Sequence, residues 1–193
     1  LRQFYLSLMD NLSHVSAASG LPFTDVAADR WSYTYIKQMY DAGVVSGMTP
    51  TTFEPAGDVT RAQFVTMLAG LAKADVSKYP ATSFRDVPEG AWYAPYVNWA
   101  LVSGTSATTF SPDAKITRQD MAVMLYQYTQ RYDVALQQQT VTPFTDESSI
   151  SAYALPAVQA LHRAGVISGM PDGSFQPFGT ATREQACVVL CAL

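Results

Sequence analysis

Three short stretches of this sequence place a cation at what reads as the start of a helix: Thr60-Arg61-Ala62-Gln63, Thr117-Arg118-Gln119-Asp120 and Thr182-Arg183-Glu184-Gln185. Thr suits the N-cap, where its hydroxyl accepts from an orphan backbone N–H. The polar residue three places on can reach back and close a capping box. Capping leaves the Arg unexplained. A cation in the first turn meets the positive end of the helix dipole, typically a penalty of a few tenths of a kcal/mol. An anion held jointly by the guanidinium and the free N–H groups is the simplest chemistry that favours it. Two plainer readings stand beside it. Each Arg could tie a loop carbonyl, or one of Asp25, Asp86 and Asp146, to the helix start, or be a surface Arg that contributes little.

The elements that must position these cations recur three times. Phe23-Thr24-Asp25-Val26 aligns with Phe84-Arg85-Asp86-Val87 and Phe144-Thr145-Asp146-Glu147. Trp31 then falls over Trp92 and Tyr153, with one extra residue in the third copy, and Ile36, Val97 and Val158 follow five residues later. From Gly47, Gly104 and Gly169 it is six residues to Phe53, Phe110 and Phe175, eight to Pro55, Pro112 and Pro177, and 14 to the Arg. Spacing held this closely marks copies of one unit.

Each copy reads as helix, loop, helix. The first helix starts just after the aromatic, where Pro95 and Pro156 are tolerated in the first turn, and Gly43 and Gly165 end it. In copy two the interval from Val97 to Gly104 is seven residues against 11 from Ile36 to Gly47, so about one turn is missing there. The second helix carries Phe64, Met67, Leu68 and Leu71, matched by Met121, Met124, Leu125 and Tyr128 and by Ala186, Val189, Leu190 and Leu193, one apolar face. A unit this small buries little surface alone, so the three share one core. The expected fold class is all-α, with segments 21–80, 81–140 and 141–193 as the repeats. Segment 1–20 is expected to form a helix or capping segment, because Arg2, Tyr5, Leu8, Met9 and Leu12 repeat the offsets of the second helix.

Composition excludes several classes. The chain is 48% hydrophobic and 15% charged with a formal net charge of −4, which is globular and argues against general nucleic-acid binding. No apolar run approaches the roughly 18 residues of a membrane span. No signal peptide opens the sequence, so it was removed or the chain is an internal fragment. Cys187 and Cys191 lie one turn apart and read as small buried hydrophobes, with no metal set around them. No Ser/His/Asp or Cys/His set recurs and no phosphate loop appears, so no catalytic residue, cofactor or metal is assigned.

Phe-x-Asp-Val, the aromatic before a helix, Gly-Val-Val-Ser-Gly, Phe-x-Pro and Thr-Arg-x-x, in this order over residues 23–193, together resemble the S-layer homology (SLH) family. The resemblance implies three tandem copies forming a pseudo-threefold, three-pronged spindle around a central helical bundle, with ligand grooves between prongs. It also implies a non-catalytic, secreted module of the bacterial surface. Such a module binds secondary cell-wall polysaccharide, often through a pyruvate-ketal amino sugar, and other surface-layer proteins are further partners. Assembly without glycan binding is the alternative.

Carried over by position, Arg61, Arg118 and Arg183 match the functional Arg of the family's Thr-Arg-Ala-Glu motif. Trp31, Trp92 and Tyr153 would stack on sugar faces, and Gly47, Gly104 and Gly169 would let backbone approach the sugar. Copy three departs by Tyr153 in place of Trp, by Glu147 in place of Val and by its extra residue, and copy two by its missing turn. Other roles stay open. Trp31 and Trp92 could be core, as Trp99 is expected to be, and the Gly residues could serve only a positive φ. The Asp of Phe-x-Asp-Val reads as a turn or cap residue, and His162 as a packed or surface residue.

Overall fold

A computed structural model of the protein describes residues 20–100 and 105–193. The expected N-terminal helix from Arg2 to Leu12, and Gly104, lie outside the described residues. Among the described residues there are six α-helices and no sheet: α1 (Tyr33–Asp41), α2 (Arg61–Ala72), α3 (Ala94–Ala100), α4 (Arg118–Arg131), α5 (Leu155–Arg163) and α6 (Arg183–Cys191). The chain is all-α. Each first helix begins two residues after the aromatic. Gly43 and Gly165 follow α1 and α5 in the left-handed region, both at φ 71°, where a Cβ would be strained. The expected shortening of the first helix in copy two falls on residues 101–104, outside the described residues. The extra residue of copy three is taken up by a 3₁₀ turn, Glu147–Ser149.

The second helices start as their sequences dictate. Thr60, Thr117 and Thr182 each accept the backbone N–H of the residue three places on. Gln63 and Gln185 return the bond to the Thr N–H, at 3.0 Å each. Asp120, with a shorter side chain, does not close its box and turns elsewhere. Most of the predicted apolar stripes are inside: Phe64, Met67, Leu68, Met121, Met124, Leu125, Ala186, Val189 and Leu190 are buried, and Leu71, Tyr128 and Leu193 are partly buried against them. Trp99 and Cys187 join them, and both cysteines are free thiols.

The copies are interlocked in a cycle. The second helix of each copy packs on the first helix of the next: α2 on α3, α4 on α5, and α6 back on α1. The residues before the second helices close a ring of backbone bonds. Val59 N–H donates to the Ala181 carbonyl (2.9 Å), Ala181 to Ile116 (3.3 Å) and Ile116 to Val59 (2.8 Å). No copy holds its own second helix in place unaided, which is why three share one core.

The loop between the helices has its own lock. Phe53, Phe110 and Phe175 are buried to 1% exposure or less. The residue after each (Glu54, Ser111, Gln176) sits at φ 59°, 57° and 56°. This conformation costs a non-glycine residue on the order of 1 kcal/mol. The Asp of Phe-x-Asp offsets it. Asp25 accepts from the N–H groups of Phe53 and Glu54 (2.9 and 2.7 Å), Asp86 from Phe110 and Ser111 (2.8 and 2.7 Å), and Asp146 from Phe175 and Gln176 (2.7 and 2.8 Å). The turn role expected of these residues is borne out. For Asp25 and Asp86, burial pushes the carboxyl up, but the two N–H bonds outweigh it and hold the pKa below the ordinary value. Their contribution is therefore complete above about pH 4, the unfolded value, and is lost as pH falls through the lower folded value. Asp86→Asn should cost about 1–2 kcal/mol at pH 7 and less at pH 3. Urea melts at both pH values check this; an equal loss at both assigns the effect to shape and not to charge.

Candidate functional site

Each Arg leaves its own helix and enters the loop of the next copy. Arg61 Nε donates to the Phe110 carbonyl (2.8 Å), Arg118 Nε to Phe175 (2.7 Å) and Arg183 Nε to Phe53 (2.7 Å). Arg118 Nη2 also donates to the Ser168 carbonyl and Arg183 Nη2 to that of Ser46. Each guanidinium lies over the ring of the same Phe, with its carbon 4.4–5.0 Å from the ring centre. The three are 3%, 8% and 5% exposed, and burial lowers the pKa of each. Carbonyl acceptors and an aromatic face answer what places a cation against the helix dipole. The loop-tying role weighed in the sequence is what the Nε atoms perform.

The backbone N–H groups expected to share an anion are occupied. Those of Arg61, Arg118 and Arg183 donate to Ala114, Gly179 and Gly57, and those of Ala62, Gln119 and Glu184 to Pro112, Pro177 and Pro55. The third is taken by the Thr cap. The helix terminus is therefore spent on the next copy's loop, and any anion bound here meets the guanidinium and not the N–H groups. Among the described residues Arg118 and Arg183 have no carboxylate partner, and Nη1 of each makes no protein hydrogen bond.

The aromatics are surface residues: Trp31, Trp92 and Tyr153 are 60%, 59% and 62% exposed, so the core reading fails for Trp31 and Trp92. Two of them frame grooves to which all three copies contribute. In the first, a cleft of about 190 Å³, Ser46, Gly47 and Met48 of copy one face Trp92 of copy two, with Arg183 of copy three, Gln63 and Thr66 completing the lining. The second, about 590 Å³, joins Thr105 and the start of α4 to Tyr153 of copy three and Arg61 of copy one. Among the described residues the remaining predicted members, Trp31, Arg118 and Gly169, line none of the grooves defined here.

For Gly47 and Gly169 the expectation of a positive φ fails, and close packing takes its place. Neither Gly47 nor Gly169 has a positive φ. A Cβ on Gly47 would overlap the Thr49 carbonyl oxygen and lie 2.5 Å from Phe23 Cε1 and 2.7 Å from the Thr52 carbonyl oxygen. On Gly169 it would lie 3.0 Å from the Ser174 carbonyl oxygen and 3.1 Å from Phe144 Cε1. These glycines let the loop close on itself and on the motif Phe.

The second groove is wired shut at one point. Asp120 Oδ2 accepts from Arg61 Nη1 (2.8 Å) and Oδ1 from the Tyr153 hydroxyl (2.6 Å). Gln119 Nε2 donates to that hydroxyl (3.0 Å) and to Ser151 (3.1 Å). Burial, together with Asp120, pushes the Tyr153 phenol up to about 12. In copy three, Glu184 makes the corresponding reach into copy one, accepting from Arg30 (2.8 and 3.0 Å) and Ser32 (2.5 Å). Burial would raise its carboxyl, but those donors hold it below the ordinary value. Copy one has Ala62 at this position and makes no such tie.

The model of the S-layer homology domain matches residues 22–65, 83–122 and 143–187, once per repeat. The chain belongs to the S-layer homology family. Similar proteins include an endoglucanase of Bacillus sp. (strain KSM-635), 37% identical over 92% of this chain and 19% of its own length. An S-layer protein of Bacillus thuringiensis subsp. finitimus is 30% identical over 88% of this chain and 21% of its own. A cellulosome-anchoring protein of Acetivibrio thermocellus is 25% identical over 77% and 35%. The chain thus spans about a fifth to a third of these relatives, and the S-layer homology repeats are the part that they share with it. The endoglucanase's name therefore assigns no catalysis here, and the shared part is an anchoring module of the cell envelope. Among the described residues no helix is long and apolar enough to cross a membrane, and no group of His, Cys, Asp and Glu could hold a metal ion.

Several groove residues of this S-layer homology chain escaped the sequence reading: Gln63 as a wall of the first groove, and Asp120 and Gln119 as ties in the second. A signal for Asp120 was present. It is the one third-position residue too short to close a capping box.

Proposed function

We propose that this S-layer homology module tethers a surface protein to the bacterial envelope by holding an acidic sugar of the secondary cell-wall polysaccharide in grooves between repeats. The observation that carries the reading is the convergence of Gly47, Trp92 and Arg183, one from each copy, on a single groove. The exposed indole offers a flat apolar face for a sugar ring, and the buried guanidinium keeps Nη1 for a carboxylate. A pyruvate ketal supplies that carboxylate on a rigid ring. The cellulosome-anchoring and S-layer names of relatives support a role at the cell surface. Loss of one stacking contact worth about 1.4 kcal/mol weakens binding about tenfold.

The test is equilibrium binding to purified wall polysaccharide, native and stripped of its pyruvate ketals. Native glycan should bind, stripped glycan should not, and Trp92→Ala should bind about tenfold more weakly with an unchanged melting temperature. A correctly folded module that ignores wall glycan from its own organism would sink the reading and leave a protein–protein assembly role.

A further inference from the structure

The three cations are not equivalent. Arg183 and Arg118 donate their side-chain hydrogen bonds to neutral carbonyls alone, Phe53 and Ser46 for one, Phe175 and Ser168 for the other. Arg61 carries an ion pair to Asp120 at 2.8 Å, with the guanidinium 3% and the carboxylate 22% exposed. Two departures from the repeat meet at this point. Asp120 stands where the other copies carry Gln63 and Gln185, which bond back to their own helix caps. Tyr153 stands where they carry Trp, and its hydroxyl donates the second bond to the same carboxylate at 2.6 Å. An indole N–H sits elsewhere on its ring system, and a box-closing Gln bears no charge, so each substitution fits the other.

We propose that Asp120 is a resident anion, a carboxylate of the protein occupying the cationic position of the Tyr153 groove, so that this groove rejects the acidic sugar that the Trp92 groove accepts. The proposal rests on the function proposed above. Arg61 is nearly out of water, where the attraction of a paired carboxylate is little screened. An incoming carboxylate must displace Asp120 from both donors, and the displaced group stays within the same groove as a like charge. In the Trp92 groove the incoming acid meets Arg183 with no carboxylate partner among the described residues and with uncharged Gln63 in the wall. Specificity is thereby set by the third residue of each second helix: Gln leaves the cation to the ligand, and Asp neutralises it internally.

The experiment is an NMR titration of the full chain with a pyruvate-ketal methyl glycoside of an N-acetylhexosamine. The Trp92 indole N–H and the Gln63 side-chain amide report one groove, and the Gln119 side-chain amide and the Thr105 N–H report the other. In the wild type the first set should saturate and the second should respond at least about tenfold more weakly. Asp120→Gln, which installs the residue of the other copies, should bring the second set within about threefold of the first. The reverse change, Gln63→Asp, should cost the first groove at least about tenfold. If Asp120→Gln fails to fold, the wild-type comparison and Gln63→Asp decide. Equal saturation of both grooves in the wild type overturns this inference and leaves the anchoring function standing, as does a folded Asp120→Gln whose second groove stays silent. Absence of binding in every groove overturns the anchoring function and this inference with it.

Discussion

Gly47→Ala is expected to be among the most damaging single-methyl changes in the chain, costing about 3–4 kcal/mol and abolishing glycan binding in the Trp92 groove. The added Cβ meets two backbone carbonyls and the edge of Phe23 at distances no real Cβ tolerates. The loop cannot simply step aside. The Thr52 carbonyl already accepts from the N–H groups of Met48 and Thr49, at 2.9 and 3.3 Å. The Ser46 carbonyl, one residue before the clash, holds Nη2 of Arg183 at 2.7 Å. Relief of the clash therefore moves a carbonyl off a buried cation. Gly169→Ala, with its nearest contacts at 3.0–3.2 Å, should cost visibly less. Gly90, where a Cβ meets nothing within 4 Å, gives a control expected within about 0.5 kcal/mol of wild type. Urea denaturation of the three variants ranks them. A Gly47→Ala protein as stable as Gly90→Ala would show that the loop relaxes freely and that the fit around Gly47 is not a constraint.

Arg183→Met is the second large effect. Methionine keeps much of the volume and the contact with the Phe53 ring, but removes the donors to the Phe53 and Ser46 carbonyls. Bonds to charged donors contribute about 1.5–3 kcal/mol each, and stranded buried acceptors add their desolvation cost, so a loss of about 3–5 kcal/mol is expected. In a domain of this size that is roughly 10 °C of melting temperature. Arg183→Lys separates the charge from the geometry. The ammonium keeps the charge but cannot span both carbonyls and a ligand carboxylate, so stability should fall by less and acid recognition should still drop. Calorimetric melts beside glycan binding give both numbers. If Arg183→Met melts with the wild type, the guanidinium is no structural tie, and the buried geometry described for it is wrong.

What the sequence made legible was what neighbours in the chain decide. Thr at the cap, the apolar stripe from Phe64 to Leu68 and the left-handed Gly43 all follow from contacts within a few residues, and all are found. What stayed hidden was decided by residues of another copy. The carbonyls that answer Arg183 belong to Phe53 and Ser46, 130 and 137 positions away, and no local rule names them. The left-handed Glu54 was invisible because it is not glycine. Its conformation is held by Asp25, 29 residues earlier. Gly47 was noticed for its type, but the crowding by its own loop that requires a glycine there cannot be told from a positive φ without coordinates. Trp92 and Arg183 were named singly as groove residues, but spacing alone could not show that one groove draws them from different copies.

The ring through Val59, Ile116 and Ala181 bears on how the chain is made. A closed cycle has no first member, yet a ribosome supplies one end before the other. While only the first two copies have emerged, the Val59 N–H lacks the Ala181 carbonyl, and the loop carrying Phe53 and Gly47 lacks its cation, residue 183. A module with only its first two copies made is therefore not a smaller version of the module with fewer grooves. The last copy supplies the missing contacts, and the groove built around the earliest loop is among the things it finishes.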